Sequence, residues 1–463
     1  MKRTNRETVG SSKDRSFLAK EPIGRLMAKL ALPTVVAQII NMLYNIVDRI
    51  YIGHIPENGA LALTGVGVCL PIILVVSAFA ALVGSGGAPR ASIAMGRGDN
   101  DGAELIMGNC FTLQIAISIV LTVVIYVFCE PILLLFGASE NTIPYALDYM
   151  KIYSLGTLFV QFSLGMNMFI TTQGFATTSM VTIIVGAVSN IVLDPIFIYG
   201  LGMGVKGAAL ATIISQALSA AWIVAFLFGR RTSLKLKRNN LRPRADVIGP
   251  VVALGLAAFI MQSTESIISI CFNSSLLKYG GDLAVGAMTI CSSVMQFAML
   301  PLSGLGQGAQ PIISYNFGAR NEDRVKKTFR LLLTINCIYA ITLWAFVMLT
   351  PQTFARIFTD VDSLVSYTAP LLRIYMAITG LFSIQMACQN TFTSIGYAKS
   401  SIMVACMRKI VLLIPLIYIM PALLTSNQVL AVFLAEPIAD ILSVTFCSIL
   451  FASQFKKAMA SLR

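Results

Sequence analysis

The stretch Val188-Ser-Asn-Ile-Val-Leu-Asp-Pro195 lies inside an apolar run that extends from Met180 to Tyr199. Asn190 and Asp194 are four residues apart, so a helix places them on one face. Pro195 has no N–H to donate to the carbonyl of Ile191, which leaves an acceptor unpaired one turn below the acid. A carboxyl, an amide and a freed carbonyl on one stripe can carry a proton, or Asp194 and Asn190 together can hold sodium. In a bilayer core such an acid costs about 2.5–3.5 kcal/mol even on the lenient insertion scale, so acids kept there serve function by default.

A second polar stripe lies in the first apolar run. Gln38, Asn41, Asn45 and Asp48 recur at spacings of three and four with Tyr44 beside them, and Pro33 sits upstream in mid-helix. The sixth run adds Thr212 and Gln216, again four apart. In the second half, Glu265 stands in Met261-Gln-Ser-Thr-Glu-Ser-Ile267 and faces no predicted basic partner. Glu436 precedes Pro437, with Asp440 one turn on. These two acids fit a satisfied polar contact or an interface position as well as a functional role.

The elements that hold these residues follow from composition. Of 463 residues, 56% are apolar and only 12% charged, with a mean hydropathy of +0.79. Soluble domains carry about 25% charged residues, so this is an all-α polytopic membrane protein. The net charge of +13 would suggest nucleic acid if it were spread evenly. Instead most of the 34 Lys and Arg fall in alternate loops and tails: before Leu30, around Arg90 and Arg97, in Arg230–Arg244, in Arg320–Arg330, at Lys399, Arg408 and Lys409, and at the C-terminus. That bias places both termini in the cytoplasm and leaves no role for nucleic acid.

Twelve apolar runs reach the roughly 20 residues needed to span. The first six are Leu26–Ile52, Leu61–Ala88, Leu105–Cys129, Tyr145–Thr171, Met180–Tyr199 and Val205–Phe228; the second six are Val247–Phe272, Leu283–Ile312, Thr328–Leu349, Tyr367–Thr393, Ser401–Met420 and Val429–Phe451. The expected domains are a basic N-terminal tail (1–25), an N-lobe (26–229), a cytoplasmic linker (230–246), a C-lobe (247–453) and a C-terminal tail (454–463). An offset of 222 carries Gly84 onto Gly306, Pro89 onto Pro311, Gly96 onto Gly318, Tyr153 onto Tyr375 and Ser179 onto Ser401. With six spans each, the halves repeat in the same orientation, as in carriers built from parallel repeats. At that offset Asn190 falls on Leu412, Asp194 on Leu416 and Asp48 on Ile270, so the stripe belongs to one half.

Other signals are bland. The nine cysteines are scattered singly and read as small core residues, without metal spacing. Gly84-Ser-Gly-Gly87 and Gly304-Leu-Gly-Gln-Gly308 lack the following Lys-Ser/Thr of a phosphate loop and read as sites of close helix packing. His54 is the sole histidine, which excludes sites built on several. The polar lead is too long for a cleaved signal peptide.

Twelve spans in two sixes, with Tyr44-Asn-Ile-Val-Asp-Arg-Ile-Tyr-Ile-Gly53 in the first, resemble the multidrug and toxic compound extrusion (MATE) family, closest to its bacterial branch of MepA-like exporters. The resemblance covers nearly the whole chain. It implies a proton- or sodium-coupled antiporter of the bacterial cell membrane that exports amphipathic, often cationic, compounds. It also implies a cation site in the N-lobe formed by Asp48, Tyr44, Asn190, Asp194 and Thr212, where all five residue types match, with sodium as one possible occupant. Pro33 falls on the helix 1 proline linked to bending on protonation, and Glu265 on an acid of helix 7. Pro195, Gln38, Asn41 and Gln216 join as conformational or substrate-lining candidates. Some relatives carry a helix 10 Asp implicated in sodium coupling; here that span reads Gln385-Met-Ala-Cys-Gln-Asn-Thr-Phe392, without an acid. No cofactor beyond the coupling ion is expected, no enzymatic activity, and a monomer. The alternatives are a flippase for lipid-linked oligosaccharides, which would want an Arg/Lys-rich cavity and often fourteen spans, and a membrane-embedded enzyme, which would need a catalytic pair or Asp-rich metal loops.

Overall fold

The hydrocarbon core supplies no water, so a spanning backbone must satisfy its own hydrogen bonds, in helices or in a closed barrel. The computed structural model describes residues 16–56 and 58–463, leaving residues 1–15 of the basic tail outside the described part. Among the described residues there is no strand.

The first six crossings are α1 (Ile23–Gly53), α2 (Gly59–Gly96), α3 (Asn100–Val127), α4 (Ile143–Leu155 and Thr157–Thr172, bent by 64°), α5 (Ala176–Gly200) and α6 (Val205–Phe228). The next two are the legs of one helical segment, Ala245–Gly318: α7 (245–280) and α8 (282–318). Then come α9 (Glu322–Leu349), α10 (Asp362–Tyr375 and Thr379–Ser394, bent by 49°), α11 (Ala398–Leu423) and α12 (Gln428–Ala460).

A straight helix of 74 residues would run about 110 Å, several times a bilayer core. Gly281 breaks it at φ 65° and ψ −162°, a conformation open only to glycine. Both ends of the segment consequently return to one helix. Val251 and Gly255 lie against Gly86 and Leu82 of α2, while Tyr315 and Gly318 lie against Gly96 and Ile93 further along it. The fold thus has the twelve crossings read from the sequence. Most run several residues beyond their apolar stretches, as at Asn100–Glu104 and Glu322–Lys327, because helical ends outside the hydrocarbon tolerate polar side chains.

Each half buries its own core. Cys69, Met150 and Tyr153 belong to the first, and Phe272, Leu372 and Phe433 to the second. Large apolar side chains such as Leu135, Leu349 and Leu423 point outward, as a lipid-facing surface requires. The nine cysteines are free and mostly buried, in keeping with core residues.

The halves meet near the end of the bundle that carries the basic loops. α2 packs on α7 and α8 there, and α1 packs on α8 where Thr34 Oγ1 donates to the carbonyl of Gly304 at 2.6 Å. Phe79 and Phe259 close the contact with rings edge to face at 4.9 Å. A Cβ on Gly255 would collide with the backbone of Leu82; hydrogen at this position lets two backbones touch, which is how helices associate where lipid removes the hydrophobic drive. The stretch between α6 and α7 is sewn to the first half: Gln173 Oε1 accepts from Thr232 Oγ1 and from the N–H groups of Ser233 and Leu234. The short helix Ser16–Lys20 straps both halves at the same end. Phe17 covers Gly174 beside α4, while the carbonyls of Leu18 and Glu21 accept from Arg324 at 3.0 and 2.8 Å.

Replacing Gly255 with Val should push α2 from α7 and cost about 1–3 kcal/mol as overpacking. The check is the unfolding temperature of the purified protein, which should fall; an unchanged value would mean that the contact does not hold the halves together.

Candidate functional site

α1 and α5 pack side by side, which brings the two sequence stripes face to face. The carboxyls of Asp48 and Asp194 lie within hydrogen-bonding reach of each other. Asn190 Nδ2 donates to Asp194 Oδ1 at 3.2 Å, as their spacing of four predicts. Asn190 and Asp194 are 1% and 0% exposed, while Asp48 is half-buried. Past Pro195, α5 widens into a π turn over Ile196–Gly200, the kind of irregularity expected where a carbonyl loses its partner.

The neighbours complete a polar shell. The Tyr44 hydroxyl reaches Asn45 and Gln216, and Gln216 Oε1 in turn accepts from Ser163 Oγ of α4. Thr212 turns its hydroxyl to Tyr149, which stacks on Tyr153 at 6.1 Å. Tyr149 was not among the residues singled out from the sequence, because a tyrosine within an apolar helix reads as core. Gln38 and Asn41 continue the α1 stripe away from the pair, and the Asn41 carbonyl accepts from Asn45 at 2.6 Å. Pro33 adjoins Thr34, inside the stretch of α1 whose Ala31, Thr34 and Val35 lie against α8.

Three oxygens at the centre have no hydrogen-bond partner: Asp48 Oδ1, Asp194 Oδ2 and Asn190 Oδ1. All three are acceptors, and a buried acceptor without a donor costs about 1–3 kcal/mol. Two adjoining carboxylates also repel one another, and a proton or a cation between them relieves both costs. Among the described residues no group of three or more His, Cys, Asp or Glu side chains could hold a metal ion; the oxygens here are hard donors.

The second half corrects two sequence expectations. Arg408 and Lys409, counted with the loop charges, lie within α11 and are each 6% exposed. Glu265, read as having no basic partner, pairs with Lys409. A π turn over Met407–Leu413 lies just before Pro415, and from it the two cations reach different helices. Arg408 turns to α12, with Nε on Asp440 Oδ1 at 2.8 Å and Nη2 on Glu436 Oε1 at 2.6 Å, its guanidinium 4.3 Å from the Phe382 ring centre. Lys409 turns to α7. Leu412 and Leu416 are apolar as the repeat offset requires and pack on the core, yet this half is not apolar overall, since its charges sit one turn earlier. Changing Arg408 to Met should strand Glu436 and Asp440 and cost about 3–5 kcal/mol. Thermal unfolding of that variant is the check: a wild-type midpoint would show that the pairs contribute nothing to the folded state.

Twelve crossings in two halves, with a polar pair buried inside one of them, define a membrane carrier rather than an enzyme. The MatE family model matches the chain twice, over residues 33–196 and 257–419, one match in each half, and the chain belongs to this family of multidrug and toxic compound extrusion transporters. It is 24% identical over 430 residues to the multidrug export protein MepA of Staphylococcus haemolyticus (strain JCSC1435), covering 92% of this chain and 94% of that one. The MepA of Staphylococcus aureus (strain NCTC 8325 / PS 47) is also 24% identical, over 88% and 89% of the two chains. A crystal structure of a MATE protein in the straight conformation superimposes with a TM-score of 0.89 at 22% identity, covering 98% of this chain and 99% of that one.

Proposed function

We propose that the chain is a cation-coupled antiporter that exports amphipathic, often cationic, drugs across the bacterial cell membrane, with both termini in the cytoplasm. One observation carries the reading: three partnerless oxygens of Asp48, Asp194 and Asn190 converge between α1 and α5. Such a site favours an incoming proton or sodium ion, which supplies what the three acceptors lack. The two MepA relatives, whose names describe multidrug export, support the substrate side of the reading.

Exchange requires that the ion bind one conformation better than the other, since equal affinity shifts nothing. α1 has the means. Its N-terminal part is fixed to α8 around Thr34, its last third carries Asp48, and Pro33 breaks the hydrogen-bond ladder within the fixed part. Neutralising Asp48 removes its repulsion from Asp194 and changes how α1 rests against α5. In the same movement α1 alters its hold on α8, and with it the contact between the two halves at the basic end. Tyr44, Gln216 and Thr212 orient the pair, while Gln38 and Asn41 line the path along α1.

Substituting Asp194 by Asn should abolish substrate-for-ion exchange and leave membrane insertion intact. The assay is ethidium movement in proteoliposomes, with a pH gradient or a sodium gradient imposed separately. Coupled export by the variant at the parental rate would overturn the assignment of the site. In the parent, the gradient that drives export names the coupling ion.

A further inference from the structure

The charge cluster inside the second half contains three carboxyl groups, Glu265, Glu436 and Asp440, against two cations, Arg408 and Lys409. Arg408 is saturated, with one carboxyl on Nε, a second on Nη2 and the Phe382 ring over its face. Its partners Glu436 and Asp440 have side chains only 6% and 2% exposed. The pair from Lys409 to Glu265 differs. The Lys409 side chain is 7% exposed, but that of Glu265 is 50% exposed, so the carboxylate can be approached by a solute and the ammonium cannot. Glu265 lies further along α7 than Phe259, beyond the contact that closes the two halves at the basic end.

We propose that Lys409 is a tethered competitor that sets substrate selectivity: its ammonium occupies the one accessible carboxylate of this cluster, and a cationic substrate gains Glu265 only by displacing it. A side chain on the same fold competes at an effective concentration in the millimolar range or above. It therefore weakens every monocation that uses Glu265, and most severely those that add no apolar contact of their own. Flat aromatic cations recover the loss through burial, small hydrophilic amines do not, and the pair becomes a filter for amphipathic cations. Once displaced, Lys409 stays beside Glu436, whose carboxyl feels its charge, which limits the cost of parting it from Glu265. The inference rests on the reading that the substrates are cationic.

The experiment is equilibrium binding of ethidium, tetramethylammonium and an uncharged dye of ethidium's size to the full-length protein in detergent. The variants are Lys409→Gln, Glu265→Gln and the double replacement; Lys409→Met, which keeps the aliphatic stem, replaces Lys409→Gln if that variant does not fold. Removing the Lys409 charge should tighten ethidium on the order of tenfold and tetramethylammonium by more, leave the uncharged dye unchanged, and lose its effect when Glu265 is Gln. Equal ethidium affinity in the parent and both Lys409 variants would overturn the competitor role and leave cation export standing. A folded parent and variants that bind the uncharged dye but neither cation would overturn the cationic-substrate reading, and this inference with it.

Discussion

A bilayer core offers no water to a polar atom, and the rest of the structure depends on that one constraint. It forces the backbone into helices and obliges each buried polar side chain to find a partner inside the protein. Where a partner is missing, the site marks something that arrives and leaves. The two halves answer the constraint in opposite ways. In the second, Arg408 and Lys409 neutralise acids from α7 and α12. In the first, Asp48 and Asp194 meet beside Asn190 and Tyr44, with Arg49 next along α1, and three oxygens are left without a donor. An arginine placed there would stabilise the fold and, on the proposed mechanism, abolish ion exchange.

On the proposed mechanism, the contact between the halves turns this local imbalance into a lever. Backbones touch through Gly255 and Gly86, and α1 is shared between the halves, fixed to α8 at Thr34 and to α5 around Asp48. Gly281 folds α7 and α8 back on each other, so both bear on α2 near the basic end. A charge change at Asp48 reaches the interface at Thr34 along about 21 Å of α1. The strap Ser16–Lys20 crosses the same end and adds bonds from Arg324 that must yield if the halves part there.

Much of this was legible in the sequence, for physical reasons. Crossing number follows from apolar length, because lipid thickness sets a minimum that no packing can waive. The face shared by Asn190 and Asp194 follows from helical periodicity. Burial of Arg408 and Lys409 does not, since an isolated basic pair near Lys399 looks like the edge of a loop. Their partners lie 28, 32 and 144 residues away, and sequence spacing carries no trace of contacts that distant. Tyr149 escaped for the opposite reason, as its ring is core and only its hydroxyl belongs to the site. The bends in α4 and α10 left no proline at the break to announce them; a glycine, Gly156, stands at one and Met376–Ile378 at the other.

The central claim is that the facing carboxyls of α1 and α5 exchange a proton or a sodium ion. Infrared difference spectroscopy of the protonated-carboxyl stretch, recorded on the protein in lipid as pH is raised and as sodium is added, tests it most directly. The account predicts a carboxyl band that disappears under one or both conditions in the parent and is missing from the difference spectrum when Asp48 and Asp194 are both Asn. The same band persisting in that double variant would place the exchanging group elsewhere and contradict the account.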